Sequence, residues 1–80
     1  WQLSTATAIN LSAAGVGLIA ASAPEVGRRV ALRFYGRGPN PFGGYRARVA
    51  HAAPLADGRA LVGCEFERPL TADELEALLS

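Results

Sequence analysis

The hexapeptide Asn10-Leu11-Ser12-Ala13-Ala14-Gly15 holds the residues whose types and spacing best suit binding chemistry. An Asn carboxamide can hydrogen-bond the edge of a base, and a Ser hydroxyl can donate to a phosphate or base oxygen. Gly15 lets the backbone turn tightly and approach a ligand without a Cβ. The same residue types also make a good turn, since Asn and Ser bond to nearby backbone groups. From the residues alone the turn is the favoured explanation, with ligand contact as the alternative.

His51, the single histidine of the chain, is the second candidate. It falls in a segment that predicts a strand, in which Tyr45, Ala47, Val49 and His51 share one parity. An imidazole there can stack on a planar base, although a half-buried strand histidine without a ligand is the plainer interpretation. Farther along the chain, Gly63 is expected to allow close approach of a neighbouring strand, with close approach of a ligand as the alternative.

Catalytic chemistry has no comparable pattern. One His, one Cys and scattered carboxylates form no recognisable triad or dyad, so we predict no catalytic residues and a protein that is not an enzyme. One His and one Cys do not supply a structural zinc site, so no metal or other cofactor is expected. Cys64 shares the parity of Val62 and Phe66, which predicts a small core residue.

Composition limits the class of protein. The chain has 80 residues, half of them hydrophobic, which predicts one folded domain. A net charge of +1 gives no general electrostatic grip on DNA or RNA. No apolar run is long enough for a membrane span, and no basic start precedes an apolar stretch as in a signal peptide. A lone cysteine fits a reducing compartment, so we expect a cytoplasmic protein or the cytosolic part of a membrane protein.

The surrounding pattern predicts five strands in succession and then one helix. Alternating residues place the strands at 1–9, 15–21, 28–35, 45–53 and 59–66. Turns are predicted at 10–15 and 24–27, a long hairpin loop at 36–44, and a tight hairpin at Asp57-Gly58. Regular turns between short strands are typical of an antiparallel barrel or sandwich.

The C-terminal segment changes to a helical period. Thr71 can cap a helix with Glu74 as its capping-box partner, and Leu75, Leu78 and Leu79 are predicted to line one face. The chain contains no Met and begins at Trp1, so we expect it to be a piece of a longer protein.

The order of these elements resembles a PilZ domain. That family carries an [Asp/Asn]-x-Ser-x-x-Gly motif between two strands, matched here by Asn10, Ser12 and Gly15. It also ends its barrel with a strand similar to Val62-Gly63-Cys64-Glu65-Phe66 before a helix. The resemblance covers nearly the whole chain and implies a PilZ-like domain over residues 1–80. The expected fold class is therefore all-β, a small antiparallel barrel with a short C-terminal helix.

The resemblance also implies a function. PilZ domains bind the bacterial second messenger cyclic di-GMP through the hexapeptide and through an Arg-x-x-x-Arg pair on an arm upstream of the first strand, here upstream of Trp1. Some members place an aromatic residue facing the ligand near the position of His51. The implied ligand-binding residues are Asn10, Ser12, Gly15 and His51. The implied role is a regulatory module of a larger bacterial protein, acting on a neighbouring domain or a partner protein.

Three alternatives remain open. The pairs Arg29–Arg33 and Arg33–Arg37 have the spacing of the family's pair but lie downstream of the hexapeptide, and we interpret them as coincidence. The second interpretation, ranked after the receptor, is a PilZ-like protein-interaction or structural domain that has lost the nucleotide. An unrelated barrel that binds oligonucleotides is disfavoured, because such surfaces carry exposed aromatics among basic residues.

Overall fold

The computed structural model of the chain describes residues 6–34 and 44–79. Some predicted features lie outside the described residues. They are the start of the first predicted strand, Tyr35, Arg37 and nearly all of the predicted loop at 36–44.

The described residues form five strands and one helix. Their bounds are β1 (Thr7–Leu11), β2 (Gly15–Ala20), β3 (Arg29–Leu32), β4 (Tyr45–Pro54), β5 (Ala60–Phe66) and α1 (Ala72–Leu79). The strands make one sheet in the order β1-β2-β5-β4-β3, and every neighbouring pair is antiparallel. The predicted antiparallel all-β fold with a C-terminal helix is confirmed. Within residues 6–34 and 44–79 the sheet is open, with β1 and β3 at its edges, rather than a closed barrel.

One face of the sheet, together with α1, builds the core. Alternation along β5 buries Val62, Cys64 and Phe66, as the sequence predicts for Cys64. Phe66 forms an aromatic trio with Phe34 and Tyr45, whose ring centroids lie 5.8 to 6.4 Å apart. The buried residues are Val16, Ala47, Val49, Ala60, Val62, Cys64, Phe66 and Leu70. The opposite side of the sheet, here named the outer face, is free of this packing.

The helix begins as its sequence predicts. The Thr71 hydroxyl accepts from the Glu74 backbone N–H at 3.1 Å, and the Glu74 carboxylate accepts from the Thr71 N–H at 2.9 Å. Leu75 and Leu78 pack against the core, but Leu79 is 65% exposed, so the prediction that it shares their face is wrong. It is the last residue of α1, and its side chain is not covered by the core. None of the described helical residues belongs to a helix long and apolar enough to cross a membrane.

The β4–β5 connection confirms the predicted Asp-Gly hairpin. Gly58 has a φ of 89°, a conformation that glycine adopts readily. The Asp57 carboxylate accepts from the Arg59 backbone N–H at 3.0 Å and from its guanidinium at 2.7 Å. These contacts fix the register of β4 against β5, the two strands that carry His51 and Gly63.

Two β-bulges interrupt the regular pairing. Ile9 is an extra residue in β1, between Ala8 and Asn10, and Ala50 is an extra residue in β4, between Val49 and His51. A bulge re-aims the side chain that follows it. His51 therefore lies on the outer face although Val49 is buried. The prediction that these two side chains lie on the same face of the sheet is wrong.

Candidate functional site

Four residues from four strands lie in register across the outer face. Asn10 of β1 is opposite Gly17 of β2, Gly17 is opposite Gly63 of β5, and Gly63 is opposite His51 of β4. We call this set the central row. Directly opposed residues share one face of a sheet, so the two polar side chains flank two glycines that have none.

The side chains of Asn10 and His51 lean inward over the glycines. A Cβ added to Gly17 would lie 2.8 Å from both the nitrogen and the oxygen of the Asn10 carboxamide. A Cβ added to Gly63 would collide with the imidazole ring of His51. Opposed Cβ positions on neighbouring strands are about 5 Å apart, so the carboxamide and the imidazole converge on the middle of the row. Only glycine at both positions allows this arrangement.

The two bulges account for the placement of these side chains. Asn10 directly follows the extra residue of β1, and His51 directly follows the extra residue of β4. The outermost members of the row are thus re-aimed in the same way from opposite sides of the glycine pair. Gly63 makes room for the His51 side chain here, rather than for the strand backbone that the sequence led us to expect.

The hexapeptide is partly strand and partly turn. Asn10 and Leu11 belong to β1, so the turn predicted over 10–15 is limited to the residues after Leu11. The Asn10 carboxamide oxygen accepts from the Gly17 N–H at 3.0 Å. The Ser12 N–H donates to the Gly15 carbonyl at 2.9 Å, and the Ser12 hydroxyl accepts from the Gly15 N–H at 3.3 Å. Both polar side chains of the motif therefore hold backbone groups in place.

The turn is also anchored to the segment that leads into α1. The carbonyl of Ala14 accepts from Phe66 N–H at 2.9 Å, and that of Ala13 accepts from Leu70 N–H at 2.8 Å. A Cβ on Gly15 would collide with the Cys64 carbonyl oxygen. Gly15 thus lets β2 approach β5 closely, and the sheet holds the hexapeptide against it.

These residues surround one open cleft of about 490 Å³. The residues that the sequence singled out, Asn10, Ser12, Gly15 and His51, all line it, together with Gly17 and Gly63. Gly17 was not predicted from the sequence, because nothing in the local pattern shows that it lies opposite Gly63 on the neighbouring strand β5. Within this cleft the Asn10 and His51 side chains lie over Gly17 and Gly63, so the polar groups of the row meet above the two glycines.

A second row beside the central row carries the charges. Gly15 is opposite Glu65, Glu65 is opposite Arg48, and Arg48 is opposite Arg29. Arg48 and Glu65 approach to 3.9 Å with side chains 57% and 61% exposed, and Arg29 and Glu67 approach to 3.7 Å. Exposed pairs of this kind contribute about 0 to 1 kcal/mol. We call Gly15, Glu65, Arg48 and Arg29 the charged row.

Two groups that belong to the core or pack against it, Cys64 and Tyr45, have raised pKa values. Burial on the core face raises the pKa of the Cys64 thiol. Burial, followed by the nearby Glu74 carboxylate, raises the pKa of Tyr45. Among residues 6–34 and 44–79, no group of three or more His, Cys, Asp and Glu side chains is placed to hold a metal ion.

A family model described as PilZ domain matches residues 2–80. No curated protein and no solved structure matches the chain significantly.

Proposed function

Because the chain belongs to the PilZ domain family, we propose that it binds cyclic di-GMP on the outer face of its sheet. The observation that carries this proposal is the central row: two convergent polar side chains over a glycine floor, beside the hexapeptide characteristic of the family. In this proposal the domain is a binding and regulatory module of a larger bacterial protein, working in the cytoplasm, and not an enzyme.

The central row suits a purine base. The Asn10 oxygen is bonded to the Gly17 N–H, which leaves the carboxamide NH₂ as a donor for the O6 or N7 acceptors of guanine. The exposed imidazole of His51 offers a flat face on which a base can stack. Because the Asn10 and His51 side chains already lie over Gly17 and Gly63, a planar base would stack on the imidazole rather than on the glycines themselves.

The hexapeptide supplies the second part of the proposed site. Ser12 lies at the rim of the cleft, where its hydroxyl can exchange its 3.4 Å bond to the Gly15 carbonyl for one to a ligand oxygen. The family's Arg-x-x-x-Arg pair, upstream of the first strand, would bring guanidinium groups to the phosphates. Closure of that arm onto the sheet would reposition a neighbouring domain or partner protein, which is the regulatory step that we propose.

Calorimetric titration of cyclic di-GMP into the full-length polypeptide that carries this domain tests the proposal. We expect saturable binding in the micromolar range or tighter, with GMP as a control that lacks the second base and phosphate. No heat of binding at micromolar ligand would overturn the proposed function.

A second candidate function is a PilZ-like domain that binds a protein and not the nucleotide. It is favoured by the hydrogen bonds that commit Asn10 and Ser12 to the backbone of Gly17 and Gly15. The residues encoded upstream of Trp1 discriminate the two functions. An Arg-x-x-x-Arg pair there favours the receptor, and a segment without it favours the interaction domain.

A further inference from the structure

The residues that line the proposed site include no Arg or Lys, so the lining itself carries no fixed positive charge. The ionisable residues that line the cleft are His51, Cys64 and Glu65, and Cys64 belongs to the core face. The carboxylate of Glu65 repels the phosphates of a nucleotide that binds within several ångströms of it. An anionic occupant therefore requires a cation close to the central row.

The register of the sheet places such a cation in the charged row. Arg48 lies on the outer face of β4, directly opposite Glu65. Strands are about 4.8 Å apart and rise about 3.3 Å per residue, so the Arg48 and Gly63 Cα positions are separated by about 8 Å. An arginine side chain and a phosphate group together span that distance with ease. Among the described residues, Arg48 is the cation that the pairing brings nearest to the glycine floor on this face.

The arginines of this row are placed in a way that favours an anion. Arg29 and Arg48 are directly opposite each other on β3 and β4, and like charges in that position are destabilising. Each has a glutamate at 3.7 or 3.9 Å, longer than a direct hydrogen bond. The two guanidinium groups are therefore only weakly neutralised and keep donors available.

We propose that Arg48, supported by Arg29 opposite it, is a phosphate-binding residue built into the sheet. Glu65 is the ion-pair partner of Arg48 until an anion enters the cleft. This inference rests on the proposed function and adds to it a cation that belongs to the sheet rather than to the upstream arm. A phosphate oxygen replaces the Glu65 carboxylate as the partner of the guanidinium, which can then bond it through two N–H groups.

The test compares three variants of the full-length polypeptide by titration with cyclic di-GMP. Arg48→Gln removes the proposed phosphate contact, and we expect affinity to fall about tenfold. Glu65→Gln releases Arg48 and removes a negative charge, and we expect affinity to rise about two- to fivefold. Arg46→Gln is the matched control, because Arg46 lies on the same strand and face, one row farther from the cleft. It should change affinity less than about twofold.

Equal losses in the Arg48 and Arg46 variants would overturn the inference, since they would reflect net charge alone. So would an Arg48 variant with unchanged affinity. If cyclic di-GMP does not bind at all, the proposed function fails, and NMR of the arginine Nε–Hε groups with inorganic pyrophosphate decides the inference separately. A shift at Arg48 without one at Arg46 would support it, and no shift at Arg48 would overturn it.

Discussion

The imidazole of His51 occupies the space that a Cβ on Gly63 would need. Because the two residues are paired across β4 and β5, the type of residue at position 63 decides where the histidine can lie. The glycine is therefore part of the site although it has no side chain to offer a ligand.

Replacing Gly63 with Ala should displace His51 from the glycine floor. The imidazole is exposed and can rotate away, so we expect a change in unfolding free energy of less than about 1 kcal/mol. Affinity for cyclic di-GMP should fall about tenfold, because the methyl group and the moved ring both obstruct the cleft. Thermal unfolding and calorimetric titration measure the two effects.

Gly44→Ala is the matched control for that change, since the nearest atom to its new Cβ would be the Leu32 carbonyl oxygen at 3.9 Å. It should leave affinity unchanged. A Gly63→Ala protein that binds as well as the wild type would show that the position of His51 does not matter for the ligand.

Replacing Gly15 with Ala should, in contrast, lower the unfolding free energy substantially. Its Cβ would meet the backbone carbonyl of Cys64, which cannot rotate away as a side chain can. We expect the domain to lose about 2 kcal/mol or more of unfolding free energy, in the range of overpacked sites. Urea unfolding followed by circular dichroism measures it. A loss below half a kilocalorie would mean that β2 and β5 separate easily at this point.

Replacing Asn10 with Ala removes the acceptor of the Gly17 N–H. We expect a loss of about 1 kcal/mol in unfolding free energy, the usual contribution of such a bond. Asn10→Asp keeps an acceptor oxygen and should retain the wild-type stability within experimental error. Chemical denaturation of the two variants side by side distinguishes the hydrogen bond from the bulk of the side chain. Equal destabilisation of both would contradict the assigned bond.

Burial of Cys64 predicts slow thiol chemistry. Its pKa is raised above the usual 9.0 because the thiolate would be desolvated. A raised folded-state pKa adds stability that is present below the unfolded value and is lost as pH rises through the folded value, here in the alkaline range. A maleimide or aromatic disulfide reagent at pH 8 should therefore label Cys64 only at the rate of unfolding. Rapid labelling of the folded domain would indicate that β5 opens locally.

Features that depend on neighbouring residues were predicted well from the sequence. The capping box of Thr71 and Glu74 and the Asp57-Gly58 hairpin both depend on residues within a few positions of each other. The burial of Cys64 followed from its parity with Val62 and Phe66. Each of these rests on local hydrogen bonding or on the alternation of a regular strand.

The central row could not be predicted in the same way. Ile9 and Ala50 have ordinary strand residue types, so no composition marks them as the extra residues of bulges. Unless Ala50 is recognised as a bulge residue, His51 is assigned to the core face, which is the wrong one. The opposition of Gly17 and Gly63 depends on pairing between segments more than forty residues apart, which a reading of local patterns does not reach. The family motif located the cleft, while the sheet register supplied its floor.

The two bulges have a consequence for how this surface can change over evolutionary time. Because each adds one residue between a core position and an outer position, removing Ile9 or Ala50 would leave the inward and outward alternation of its strand intact. What would change is the local bend and twist that an extra residue imposes. The curvature around the cleft is thus encoded in the number of residues in two strands rather than in their chemical identity. Deleting one of these two residues would therefore change the curvature of the surface while leaving the same side chains facing outward.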